Sequence, residues 1–101
     1  MNELEVQITR RTKCIEYKGA NILIRYKRYI RCWLIRLEFP TAEGKAKSGP
    51  RCYCYTKNKG IDWAKLIIDA KQSRDSQAVL DLIVNAYKYV DIVPDSRYIP
   101  G

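Results

Sequence analysis

The chain has no histidine, one phenylalanine and one methionine. Without histidine the commonest general acid–base side chain is missing. The carboxylates do not compensate. Asp62, Asp69 and Asp81 fall on predicted helices at solvent-facing spacings, with Asp62 and Lys65 an i, i+3 pair, and no cluster of acids suits metal-assisted phosphoryl chemistry. The expectation is therefore no catalytic residue, no cofactor and no metal ligand. Long apolar runs are also missing: stretches such as Ile22-Leu23-Ile24 and Trp33-Leu34-Ile35 are far too short to cross a bilayer. The opening Met1-Asn2-Glu3-Leu4-Glu5 is acidic and has no apolar signal core, which implies a cytoplasmic protein whose cysteines stay reduced.

The most telling scarcity is of negative charge between Arg10 and Lys59. Fourteen of the nineteen Lys and Arg residues lie there, against only Glu16, Glu38 and Glu43. Beyond Lys59 five bases face six acids, and the whole chain carries +8. One sign gathered in one part of a chain points to a polyanionic partner, most often nucleic acid. A length of 101 residues suits one domain, with hydrophobic content of 47% supporting a core and arguing against disorder.

Along the chain, Leu4, Val6 and Ile8 alternate with polar residues as in a half-buried strand, and 14–17 forms a short further segment before a turn at Lys18-Gly19-Ala20-Asn21. Ile22, Ile24 and Tyr26 share one face of the next strand. Arg31 to Phe39 places Trp33, Ile35, Leu37 and Phe39 on one face. Residues 40–50 have loop composition, and Arg51 to Lys57 reads as a strand whose register is ambiguous: either Cys52 and Cys54 or Tyr53 and Tyr55 face the core. After a turn at 58–60, Ile61, Ala64, Ile67 and Ile68 predict a helix to about Lys71. Val79, Leu82, Ile83, Ala86, Tyr87 and Val90 predict a second over 76–90. The expected fold is α+β: a small two-layer domain with an antiparallel sheet of three to four strands packed on two C-terminal helices. Within this single domain, 1–60 is the basic β-rich part, 61–93 the helical part and 94–101 a tail.

Three constellations bear on function. The first is the run Arg25-Tyr26-Lys27-Arg28-Tyr29-Ile30-Arg31 with Trp33 and Arg36, in which cations neutralise phosphates and exposed aromatics stack on bases. Its plain alternative is a basic, solubilising hairpin with Tyr26 and Trp33 in the core. The second is Gly44-Lys45-Ala46-Lys47-Ser48-Gly49-Pro50, a flexible loop with lysines suited to backbone phosphates. It lacks the Gly-Lys-Ser/Thr ending and the following helix of a phosphate-binding loop. The third is Cys14, Cys32, Cys52 and Cys54. With no paired knuckles and no histidine, this spacing favours small apolar core residues over zinc ligands.

From Tyr17 to Ala70, the order Tyr17-Lys18-Gly19, Trp33, a Gly-containing loop, Thr56, Ala64-Lys65 and Ile68-Asp69 resembles the DNA-binding modules of the AP2 and integrase N-terminal type. The interval from Tyr17 to Trp33 is longer than in the AP2 pattern, and a glycine before Trp33 is missing. The resemblance implies a sheet laid in the major groove, with Arg25, Arg28, Arg31, Trp33 and Arg36 as contacts.

These readings converge on a non-enzymatic nucleic-acid-binding domain, for DNA or RNA. Arg25, Lys27, Arg28, Arg31, Arg36, Lys45, Lys47, Arg51 and Lys57 are expected on phosphates, and Tyr29, Tyr53 and Tyr55 on bases or sugars. The rival is a protein-interaction module docking on an acidic surface or a ribonucleoprotein, since Tyr and Arg are also enriched at protein interfaces. No membrane partner is expected, because the 76–90 helix is not basic. Leu80 and Val84, off its main stripe, leave a homodimer open.

Overall fold

Alternation builds the sheet. In the computed structural model, which describes residues 4–93, the strands are β1 (Val6–Gln7), β2 (Thr12–Tyr17), β3 (Ala20–Lys27), β4 (Cys32–Pro40) and β5 (Ala46–Cys54). They pair antiparallel in chain order, and α1 (Lys57–Gln72), α2 (Ser76–Val84) and a 3-10 turn (Ala86–Lys88) follow. The α+β class stands as expected, with five strands where three to four were expected. The predicted tail, 94–101, lies outside the described residues.

Ile22 pairs with Leu37 and Ile24 with Ile35, so one face of β3 and β4 is aliphatic. Those four side chains are almost wholly buried under α1, together with Ile67, Ile68 and Ala64. Cys52 opposite Ile35 and Cys54 opposite Trp33 resolve the β5 register: the cysteines face the helices and Tyr53 faces away. The reason lies upstream. Between the pairs Arg36–Arg51 and Glu38–Ser48, β5 carries one residue more than β4, and this bulge falls at Gly49-Pro50. Proline cannot donate to the ladder and is tolerated at bulges. A Cβ on Gly49 would lie 2.6 Å from the Phe39 ring. Residues 46–50 are therefore strand, not the flexible loop their composition suggested.

Tight geometry also sets the helices. The β2–β3 hairpin turns on Lys18 and Gly19, both at positive φ, with Tyr17 pairing Ala20; this is the two-residue turn that suits strand twist. Lys18 Nζ reaches Asp69 of α1 at 2.7 Å. The first turn of α1 begins at Lys57, four residues before the expected start, because Gly60 lets the backbone press onto the sheet. A Cβ there would stand 2.5 Å from Ile35 Cγ1 and 2.8 Å from Cys54 Sγ. Trp63, buried in the same core, ties α1 to α2 by donating from Nε1 to the Leu82 carbonyl at 2.8 Å.

The predicted second helix is shorter than its apolar spacing suggested. It ends at Val84, since Asn85 leaves helical geometry and its amide donates to the Asp81 carboxylate. Leu82, Ala86 and Val90 are buried, whereas Ile83 and Tyr87 are exposed. In β1 only two residues pair, and Leu4, Val6 and Ile8 stay exposed, so the half-buried strand expected there does not bury its apolar side.

The chain then returns to β5. Cys54 bridges Ile92, Val93 N donates to the Tyr53 carbonyl, and Asp91 accepts from both the backbone and the hydroxyl of Thr56, the N-cap of α1. Burial alone would push the Asp91 carboxyl up, but the Thr56 hydrogen bonds outweigh it and hold it below the usual carboxylate range.

Two outcomes follow from these contacts. Gly60→Ala overpacks the α1–sheet contact and lowers unfolding free energy by about 1–3 kcal/mol in urea titrations. For Asp91, a lowered folded pKa means stabilisation fully present above the unfolded value of about 3.9 and lost as pH falls through the folded value. Asp91→Ala is therefore less stable than the parent at neutral pH. The difference narrows as unfolding is measured at progressively lower pH below about 4.

Candidate functional site

Two turns at one end of the sheet bring cations and aromatics together. In the β1–β2 turn, Thr9 Oγ1 accepts from the amides of Arg11 (3.3 Å) and Thr12 (3.1 Å), and Gln7 Nε2 donates to the Arg10 carbonyl at 3.2 Å. This local hydroxyl-to-backbone bonding closes the turn. It leaves Arg10 and Arg11 exposed at its edge. In the neighbouring β3–β4 turn, the amides of Ile30 and Arg31 donate to the carbonyls of Lys27 and Arg28, each at 3.3 Å, and Arg31 takes φ +51°. Ile30 tucks against Cys32 and Val93, while Tyr29 is 79% exposed.

Between these turns runs an open groove of about 800 Å³ lined by Arg10, Arg11, Arg25, Tyr26, Lys27, Arg28 and Tyr29. Among the described residues no carboxylate lines it. Toward the helix side, a second hollow of about 240 Å³ shares Arg10, Arg11 and Tyr26 and adds Lys13, Trp33 and Lys57. The Tyr26 ring meets Trp33 edge-on, with centroids 5.0 Å apart at 61°. Lys57 Nζ lies 5.4 Å from the Trp33 ring centre and 2.8 Å from Glu5. Tyr26 is thus a braced ring, still 41% exposed.

The groove continues onto the helix-free face of the sheet. Arg36 stands directly opposite Arg51, and Arg25, opposite Leu34, is its diagonal neighbour on β3. Arg25 and Arg36 line a cleft of about 60 Å³ with Thr12, Leu23 and Leu34, and their Nε atoms are buried without a hydrogen-bond partner among the described residues. Glu38 approaches Arg36 only to 4.0 Å. Lys27 feels the crowding: burial, then Arg25, with Arg36 and Arg51 adding, pushes its ammonium below the usual lysine range despite a counter-effect from Cys32. Like charges directly across a ladder destabilise it.

The twelve residues singled out from the sequence divide by place. Arg25, Lys27, Arg36 and Arg51 share the helix-free face, and Arg28, Tyr29 and Arg31 form the adjoining turn. Tyr53 is on that face too, but packs against the Ile30, Cys32 and Val93 cluster, so it serves as a wall and not as an open ring. Tyr55 lies past the end of β5, its amide donating to Asp91. Lys57, expected among the phosphate contacts from a strand running to it, starts α1 and reaches the helix-side hollow, because the strand ends at Cys54. Lys45 and Lys47 sit at the opposite end of the sheet, with Lys47 paired to Phe39 and thus on the helix side.

Arg10, Arg11 and Tyr26 complete the groove and were not among the twelve. Their signals were present but weak: an Arg-Arg pair just after Thr9, and a tyrosine at the strand end, past the cover of α1. The four cysteines are unbridged thiols divided by the sheet, with Cys14 and Cys32 on the helix-free face and Cys52 and Cys54 beneath α1. Among the described residues no group of three or more metal-ligating side chains gathers. No helix among them is long and apolar enough to cross a membrane.

No family model matches the chain, and no curated protein or solved structure matches it.

If the Arg36–Arg51 opposition costs stability, Arg51→Thr relieves it with a residue suited to strands. Its thermal midpoint rises by roughly 1–5 °C over the parent, read by circular dichroism at low ionic strength. The increment shrinks in high salt as the repulsion is screened.

Proposed function

We propose that the chain is a non-enzymatic nucleic-acid-binding domain whose contact surface is the basic groove and the adjoining helix-free sheet face. The observation that carries this reading is the groove itself: among the described residues five cations and two tyrosines line it, and no carboxylate does. Side chains kept basic only for solubility need not converge on one concavity. Among the described residues, Arg10, Arg11, Arg25, Lys27, Arg28 and Arg51 make no ion pair, whereas Lys18 at the far end of the sheet pairs with Asp69. Phosphates supply what the cluster lacks: they neutralise Lys27 and the three face arginines together, and guanidinium groups can hold them in bidentate fashion.

The surface combines a sheet face with two hairpin turns, whereas the likeness to AP2 and integrase N-terminal modules implied the sheet alone, laid in the major groove of DNA. In this reading the contacts extend that set to Arg10, Arg11 and Tyr26, and leave Lys45 and Lys47 at most peripheral.

A second reading, protein interaction or self-association, is favoured by a different region. Leu80, Ile83, Val84 and Tyr87 are all exposed along and just after α2, beside a hollow of about 450 Å³ lined mainly by Phe39, Pro50, Ile67, Val79, Leu80 and Ile83. Such a patch suits a protein partner better than a phosphate backbone.

Anisotropy titration with labelled oligonucleotides across a salt series tests the first reading. Affinity falls by about 0.9 log units per decade of salt for each phosphate contact on duplex DNA, and the Arg25→Gln/Arg36→Gln variant flattens that slope by about two contacts. A salt-independent response, or no binding at low salt, removes the proposal.

A further inference from the structure

The groove and the open face differ in shape, and the difference bears on which nucleic acid fits. A duplex is read by an element that protrudes into its groove, and its base faces are stacked out of reach. Here the charge lines a concavity between two turns, and the aromatic surface lies inside it. Tyr29 is 79% exposed and Tyr26 41% exposed. Both lie among Arg10, Arg11, Arg25 and Arg28. Tyr26 cannot swing freely because Trp33 backs it at 5.0 Å. A braced ring loses little freedom when a planar ligand stacks on it. Rings of this kind, flanked by guanidinium groups, are useful to bases whose faces are unpaired.

A route for the backbone continues from the same place. Arg25 lines both the groove and the narrow cleft it shares with Arg36 and Thr12. The Nε–H groups of Arg25 and Arg36 are buried without an acceptor among the described residues, so it is the rest of each partly exposed guanidinium that meets a phosphate. Arg51 follows directly opposite Arg36.

Resting on the function proposed above, we infer that the ligand is single-stranded: an unpaired base stacks at Tyr29 and Tyr26, and the phosphates beside it run past Arg25 toward Arg36 and Arg51. At about 800 Å³ the open groove falls within the size range of small-ligand sites. The remainder of a strand would lie over the sheet.

The test compares single-stranded oligothymidylate and oligouridylate of about 12 nucleotides with a duplex of equal length, by anisotropy at one low salt concentration. At least one single-stranded probe binds more tightly than the duplex. Tyr29→Ala, at an exposed turn where folding is not at stake, weakens that single-stranded binding about 5- to 150-fold and leaves duplex binding unchanged. Tyr29→Phe keeps the affinity, since the ring and not the hydroxyl is used. A duplex preference, or a Tyr29→Ala variant indistinguishable from the parent on both single strands, overturns the inference. If binding still falls with salt and with Arg25→Gln in that case, the broader nucleic-acid reading survives. Absence of binding to all three probes at low salt sinks both.

Discussion

The approach of α1 to the sheet at Gly60 governs what the rest of the molecule can expose. With the helix backbone close enough that no Cβ fits, Ile35 and Cys54 are sealed, and both helices lie on one side. A sixteen-residue helix is about 24 Å long, shorter than the roughly 30 Å of the nine-residue strands β4 and β5. The end of β3 therefore projects beyond the cover. Tyr26, which shares its face with the buried Ile22 and Ile24, emerges there half-exposed while its neighbours do not. The groove exists because the aliphatic face of the sheet outlasts the helix that covers it.

How much of this was legible follows from how local each signal is. The faces of β3 and β4 could be read directly, since each strand alternates without interruption and the pairing of Ile22 with Leu37 and Ile24 with Ile35 agrees with the pattern. The face of β5 could not. The Gly49-Pro50 bulge shifts the parity between Lys47 and Cys52, so alternation read from either end gives a different answer, and the same two residues made a strand resemble a loop. The end of α2 was hidden for another reason. Apolar spacing continues to Val90, and a 3-10 turn satisfies part of it, but Asn85 and Asp81 bond to each other and stop the helix. The groove was the least legible feature. Arg10 and Arg28 are eighteen positions apart and meet only because β2 and β3 form a hairpin.

Three acids engaged elsewhere leave Arg10, Arg11, Arg25, Arg28 and Arg51 with no ion pair among the described residues. Asp69 accepts from Tyr17 and Lys18, Asp81 from Asn85 and Tyr89, and Asp91 from Thr56. In each case the hydrogen bonds hold the carboxyl below its usual range, against burial that would raise it. All three lie in the second half of the chain and tie its helices together or to the sheet. At the N-terminal end of α1, the amide and hydroxyl of Thr56 are answered by the Asp91 carboxylate, a negative charge placed where the helix dipole is positive.

That division of charge separates the two candidate surfaces physically. The groove lies where β3 and β4 join, and the apolar hollow beside α2 lies near Phe39 and Pro50, toward the other end of β4. An interaction at one need not obstruct the other. Their chemistry is opposed as well: salt weakens contacts made through phosphates and strengthens burial of apolar surface when the salt is kosmotropic. Ionic conditions therefore act on the two surfaces in opposite directions.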